Sequence, residues 1–207
     1  MEFRPYIVSG MDSATLDMKT MVSPYAYPER GITRSLVQRY QLPAFALSGS
    51  TDSKVIDQQA TAEAALSLMA DVLMGGNIIH DLGYLESGLT YSFAQLAICN
   101  EMVSWIKTLY NQIEVSEETL ALDVVERVGA EGQYLKDKHT RKHYRDHWYP
   151  NLFERGNHRD WMHKGGKTLA ERAAEHVNLI LENHVPERLP EDIKKQLSLI
   201  TQKAEKR

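Results

Sequence analysis

Five ionisable side chains fall in two short polar clusters. Asp52 and Lys54 lie in Ser48-Gly49-Ser50-Thr51-Asp52-Ser53-Lys54; His80, Asp81 and Glu86 lie in His80-Asp81-Leu82-Gly83-Tyr84-Leu85-Glu86-Ser87-Gly88. An imidazole beside carboxylates can orient an anion or accept a proton, and a carboxylate and an ammonium can hold opposite ends of a small charged molecule. That chemistry requires the two clusters to meet.

The elements around them predict that they do. Each cluster follows a short apolar run, Ala44-Phe45-Ala46-Leu47 and Asn77-Ile78-Ile79, and one small-residue helix over about 58–74 separates them. In α/β barrels and open parallel sheets, side chains at the carboxyl ends of strands converge on one face. The order strand, cluster, helix, strand, cluster therefore puts Asp52, Lys54, His80, Asp81 and Glu86 on a common rim. Ala44–Leu47 reads as a strand buried on both faces. Asp57 is placed to cap the following helix, whose inward stripe is Ala65, Leu68, Met69 and Val72, and Gly75-Gly76 ends it.

Upstream, Tyr6–Gly10 reads as a further strand, and Pro28 opens a helix carrying Ile32, Leu36, Val37 and Tyr40. Downstream, a long helix over about 92–113 directs Leu96, Val103, Ile106, Tyr110 and Ile113 inward. After Ile113 the pattern turns helical, with stretches opening at Ser116, His139, Thr168 and Pro190. The expected fold class is α/β: a partial βα barrel over 1–115 and an all-helical extension over 116–207. About three βα units fall short of a closed eight-stranded barrel, which takes ~250 residues. Their open edges need cover, so the chain reads as the C-terminal part of a larger TIM-type (βα)8 barrel rather than a small open sheet.

Composition removes several alternatives. A net charge of −4 and a pI near 6.1 argue against a general nucleic-acid or anionic-membrane binder. No uncharged stretch reaches the ~18 apolar residues that span a bilayer, and the start has no basic-then-apolar signal segment. Cys99, the single cysteine, cannot close an intrachain disulfide, and its apolar neighbours make it a buried core residue rather than a nucleophile. The expectation is a cytoplasmic protein. His139, His143 and His147 recur at metal-ligand pitch, but Arg141, Lys142 and Arg145 between them read as a solvated or partner-facing basic helix, and no metal is expected. Arg155, His158, Arg159 and His163 extend that stretch past Trp148 and Trp161; it either faces a partner or packs its tryptophans on the barrel. Gly165-Gly166-Lys167-Thr168 lacks the first glycine of a phosphate loop, with Asp160 in that place, so nucleotide binding is excluded.

Several segments together resemble the trimethylamine methyltransferase family. They are Leu16-Asp17-Met18-Lys19-Thr20, Leu42-Pro43, Gly49 to Lys54, Gly75-Gly76-Asn77-Ile78-Ile79-His80-Asp81, Glu86-Ser87-Gly88-Leu89-Thr90, Glu117-Glu118-Thr119-Leu120-Ala121, and His139-Thr140-Arg141 through Trp148-Tyr149-Pro150. The resemblance runs from Phe3 to about Asn183 and implies the C-terminal portion of a (βα)8 enzyme. Such an enzyme moves a methyl group from a tertiary or quaternary amine, trimethylamine or betaine-like, to the Co(I) corrinoid of a small partner protein, a reaction associated with methanogenesis. No cofactor would be bound directly; the corrinoid (cobalamin) comes on the partner. The other expected partner is the small methylated amine, with no nucleic acid and no membrane, and self-association left open. Trimethylamine enzymes of the family carry pyrrolysine near the Ser48–Thr51 turn. That turn here holds standard residues only, which points to the non-pyrrolysine type. The rival expectation is a truncated, inactive paralogue that binds the corrinoid protein or persists as a remnant.

Under that resemblance the catalytic candidates are His80, Asp81 and Glu86, and the substrate-binding candidates are Asp52, Lys54, Tyr84, Tyr91 and Tyr6. A quaternary ammonium has no N–H to donate, so its natural host is a set of aromatic faces, each worth about 0.5–2 kcal/mol, with one carboxylate nearby. Tyr6, Tyr25, Tyr27, Tyr84 and Tyr91 are placed to supply the faces and Glu86 the counter-charge. Each has an ordinary alternative: tyrosines packed with the hydroxyl outward, Glu86 solvated, Asp52 paired with Lys54, and His80 satisfying the Gly83–Gly88 loop.

Overall fold

The computed structural model describes residues 10–11, 18–19, 34–43, 45–111 and 113–205. Tyr6, Tyr25, Tyr27, the predicted strand before Gly10 and the helix start at Pro28 lie outside them. The described chain is mostly helical with short strands, an α/β composition, and it divides into a unit ending at Val177 and a second over 178–207.

In the first unit β1 (Gly10–Met11) and β2 (Met18–Lys19) form an antiparallel pair. A helix over 34–40, α1, precedes β3 (Phe45–Leu47). β3 runs parallel to β4 (Ile78–His80), with Phe45 opposite Ile78 and Leu47 opposite His80. The crossover between them is α2 (Gln58–Leu73). Parallel neighbours need such a connection, because a hairpin cannot reverse direction twice. Asp57 caps α2 as predicted, its side chain accepting from Ala60 N–H at 2.9 Å. That bond, joined by one from the Ser53 hydroxyl, lowers the Asp57 pKa.

The stripe that α2 buries is turned by about one position from the expected one. Ala60, Ala64, Ser67, Leu68 and Asp71 are buried, while Ala65, Met69 and Val72 are half-buried. Hydrophobic periodicity misplaces the face because Ser67 and Asp71 are buried for polar reasons: both bind the turn after β3.

After β4 the chain forms a hairpin absent from the sequence reading: β5 (Tyr84–Leu85), a 3-10 turn (Glu86–Gly88) and antiparallel β6 (Thr90–Tyr91). Ser92 then caps α3 (Phe93–Tyr110). The α3 core face is Gln95, Ile98, Cys99, Glu101, Met102 and Ile106; of the predicted set Ile106 is buried, Leu96 and Val103 are half-buried, and Tyr110 and Ile113 are exposed. Ala64, Leu68, Ile98, Cys99, Met102, Ile106, Leu152 and Ala173 make one apolar cluster.

From residue 116 to 177 the described chain is helical and irregular. α4 (Glu117–Leu120) and α5 (Leu122–Val128) replace the single predicted helix, because Ala121 takes a left-handed conformation between them, at φ 49°. α6 (Lys138–His143), α7 (His158–His163) and α8 (Leu169–Asn183) follow. Glu101, 4% exposed, anchors this region to α3. Its Oε1 accepts the backbone N–H groups of Asn151 at 2.6 Å, Leu152 at 2.8 Å and Phe153 at 3.4 Å. A buried carboxylate is tolerable only with such partners. Trp148 stacks on Trp105 with centroids 5.8 Å apart and donates its Nε1–H to Ser104 Oγ at 2.8 Å. The tryptophan-packing reading of this segment therefore holds for Trp148.

The second unit contains the end of α8 and α9 (Glu191–Glu205), which begins directly after Pro190. Lys194 pairs with Glu191 at 2.6 Å in the first turn of α9.

Candidate functional site

The two polar clusters meet through their backbones. Ser48 N–H donates to His80 O at 3.0 Å, extending the β3–β4 ladder past its last strand residues. Thr51 N–H then donates to Tyr84 O at 3.1 Å, Glu86 N–H to Ser53 O at 2.9 Å, and Ser87 N–H to Thr51 O at 3.2 Å. Gly49 allows the approach: it sits at φ +85°, and a Cβ there would lie 3.2 Å from the Leu82 Cα. Gly83, at φ +92°, likewise leaves room for the Tyr91 ring, 3.1 Å from where its own Cβ would be.

Side chains from α2 fix the first cluster from below. Ser48 Oγ donates to the Asp71 carboxylate, and Gly49 N–H donates to Ser67 Oγ at 3.1 Å. Glu63 Oε2 accepts from Thr51 Oγ1 at 2.5 Å and from Asp52 N–H at 3.0 Å. Ser48, Ser50, Thr51 and Ser53 are buried, so the polar turn is part of the interior. The Cys99 thiol lies under it and donates to Gly49 O at 3.4 Å. Burial pushes the Cys99 pKa up to about 11, so the group stays a thiol at neutral pH.

The candidate residues occupy this rim unequally. Ser87 Oγ donates to the Asp52 carboxylate, joining the two clusters side chain to side chain. Lys54 is exposed, and its Nζ donates to the Asp52 carbonyl at 2.8 Å. Among the described residues no ion pair joins that ammonium to the Asp52 carboxylate, the ordinary pairing considered from sequence. His80 Nδ1 lies 2.6 Å from Asp81 Oδ1, so the two act as one unit. Asp81 has a left-handed backbone, φ 75°. Glu86 accepts from Thr90 Oγ1 at 2.8 Å. Tyr84 packs edge-on against Tyr91 at 5.0 Å between centroids, and Tyr91 against Phe93 at 5.6 Å. Tyr6 lies outside the described residues.

Sequence reasoning missed Phe93, Ser87 and the α2 supports Glu63, Ser67 and Asp71. Phe93 was absorbed into a helix start. The signal for the supports was present: three polar residues at positions 63, 67 and 71, spaced i, i+4, i+8 on one helix face behind a polar loop.

The arrangement defines an α/β protein with a polar, aromatic-flanked rim at the carboxyl end of a parallel strand pair. Residues 7–207, nearly the whole of this chain, match the trimethylamine methyltransferase family. The chain belongs to that family, and it corresponds to the C-terminal portion of the longer members. It is 37% identical over 203 residues to a trimethylamine methyltransferase of Desulfitobacterium hafniense, covering 96% of this chain and 41% of that protein. A trimethylamine methyltransferase of Methanosarcina barkeri is 36% identical over 201 residues, 95% of this chain and 41% of its own length. A glycine betaine methyltransferase of Desulfitobacterium hafniense is 30% identical over 197 residues, again 41% of its length. The chain thus spans about two fifths of the relatives it matches. Among the described residues, no helix is long and apolar enough to cross a membrane.

Proposed function

We propose that the chain is the C-terminal part of a (βα)8-barrel methyltransferase that demethylates a tertiary or quaternary amine. In this reading residues 1–115 complete a barrel begun by the rest of the enzyme, and 116–207 are its helical extension. A Co(I) corrinoid carried by a partner protein supplies the nucleophile that takes the methyl group. The observation that supports the reading is the backbone stitching of 51–53 to 84–87, beside which Ser87 binds Asp52 and the Tyr84, Tyr91 and Phe93 rings pack in series.

The residues then have separable tasks. Ring faces of Tyr84, Tyr91 and Phe93 attract the methylated cation without requiring an N–H donor. Glu86, held by Thr90, is the counter-charge. Lys54, exposed above the rim, suits a carboxylate tail, and His80 with Asp81 orients the substrate's polar end. When a quaternary amine loses a methyl group it departs neutral, so the site needs orientation and exclusion of water rather than a proton donor. The relatives' names supply trimethylamine and glycine betaine as candidates. The Ser48–Thr51 turn, built of standard residues, favours the quaternary one.

The test is a methyl-donor screen with reduced cobalamin and a full-length family enzyme carrying residues 1–207 as its C-terminal portion. Trimethylamine, glycine betaine, carnitine and proline betaine are offered in turn. Loss of the Co(I) absorbance with one of them is expected. A full-length enzyme that leaves Co(I) unchanged with all four would turn the assignment toward an inactive paralogue that binds the corrinoid protein.

A further inference from the structure

A second cluster of ligand-type side chains lies far along the chain from the rim, between α4 and α6. Glu118 comes from the first turn of α4, and His139 and His143 stand one helical turn apart on α6. Potential ligand atoms of all three lie within 4.8 Å of one another. From sequence, the basic residues interleaved with the histidines argued against a metal, and no carboxylate was in view. The fold supplies one from more than twenty residues upstream.

The geometry points to Glu118, His139 and His143 as a three-ligand site for a zinc-class transition-metal dication, with a fourth position open to solvent. Ligand atoms on a tetrahedral zinc lie about 3.3–3.4 Å apart for bonds of about 2.0–2.1 Å. Here Glu118 Oε1 is 2.8 Å from His143 Nε2 and 3.9 Å from His139 Nε2, so shifts of about half an ångström bring both to that spacing. Two imidazoles and one carboxylate, with an open position, are a donor set that zinc uses.

The surroundings favour an oriented site. His143 Nδ1 faces Asp146 Oδ2 at 2.6 Å, the outer carboxylate contact that fixes a ligating imidazole with Nε2 toward the metal. His139 is placed by Asp137, which caps α6, accepts from His139 N–H at 2.9 Å and is itself bound by Arg127. The side chains are partly exposed, and a cleft of about 410 Å³ opens beside Glu118 and His139. Lys142 and His143 hold the Glu118 carboxyl down at about 2, so it is ionised at any physiological pH.

Three contacts of the metal-free arrangement must yield. Lys142 Nζ occupies Glu118 Oε1 at 2.7 Å, His139 Nε2 donates to the Glu118 carbonyl at 2.7 Å, and His143 Nε2 donates to Glu118 Oε1 at 2.8 Å; the protons on the two ring nitrogens leave to solvent when a metal takes their place. Lys142 is 65% exposed and can swing into solvent. Lys142 is thus a competitor for the site, and this separates the metal reading from a plain ion-pair cluster.

Isothermal titration of Zn²⁺ into tag-free, chelator-treated protein tests the site. One equivalent is expected to bind with a Kd of about 1–10 μM. His139→Ala and His143→Gln should each weaken binding at least about tenfold. His147→Ala, outside the cluster, should leave it unchanged, and Lys142→Gln should tighten it about threefold to tenfold. In the wild type, Zn²⁺ should move the ring resonances of His139 and His143 before those of His147, a readout independent of whether any variant folds. Absence of binding to the wild type would overturn the proposal. So would wild-type affinity in the His139 and His143 variants, or weaker binding in Lys142→Gln.

Discussion

Glu63 and Glu101 do the same chemical task in two regions, with different consequences. Each is a helix carboxylate that accepts backbone N–H groups from another segment. Glu101 is almost fully buried and takes three N–H groups from residues 151–153. Glu63 is half-buried and shares its acceptance between one N–H and the Thr51 hydroxyl, with Gln59 donating to its other oxygen at 2.9 Å. Glu101 therefore holds the fold together, fastening the helical region to α3. Glu63 holds the polar turn after β3 in shape. Water can replace more of what Glu63 does than of what Glu101 does, because Glu101 is buried and Glu63 half-buried.

The largest effect is expected at Glu101. Glu101→Ala removes the shared acceptor of three N–H groups, that of Leu152 buried and those of Asn151 and Phe153 partly so, and a loss of about 2–4 kcal/mol is expected from chemical denaturation. Glu101→Gln keeps one carbonyl oxygen and should recover a large part of that loss. Equal destabilisation by Glu101→Ala and Glu63→Ala would erase the distinction.

At the rim the expected pattern reverses. In the full-length enzyme His80→Ala and Glu86→Gln should each lower methyl transfer at least about tenfold, or 1.4 kcal/mol in the barrier, with stability changed by less than about 1 kcal/mol. Near-normal rates in both would remove these residues from the site.

The smallest effect concerns the thiol under the rim. Cys99 has a folded pKa of about 11 against an ordinary value of 9.0. The unfolded chain releases this proton first, so the contribution is intact below pH 9 and declines as pH rises from 9 toward 11. Unfolding measured at pH 8 and pH 10.5 should show a steeper decline in the wild type than in Cys99→Ala. Parallel declines would mean that the thiol is not shielded.

The parts of this architecture that were legible in the sequence are those where one force acts alone. The β3 and β4 runs, the Asp57 cap and the α2 and α3 spans followed from apolar runs and capping chemistry, and the polar clusters do meet after the strands. What was not legible lies where buried polar groups outvote hydrophobic period. Ser67, Asp71 and Glu101 are interior because of their hydrogen bonds, and they rotate the buried faces of α2 and α3 away from the apolar stripes. The β5–β6 hairpin was hidden in a two-residue-per-strand segment that reads as loop, though its Gly83 and Gly88 were turn signals. The Glu118 partner of the α6 histidines was hidden by separation along the chain. No local spacing rule reaches from residue 118 to residue 139.

If the 48–54 and 80–91 loops serve one substrate, their residues must be coupled in catalysis. A double-mutant cycle in the full-length enzyme, combining Asp52→Ala with Tyr91→Leu and read as kcat/KM for the methyl donor, measures that coupling. Each single change is expected to lower kcat/KM, and the pair to depart from additivity by about 1 kcal/mol. Additive effects, or single variants with unaltered kcat/KM, would show that the two loops do not share a substrate.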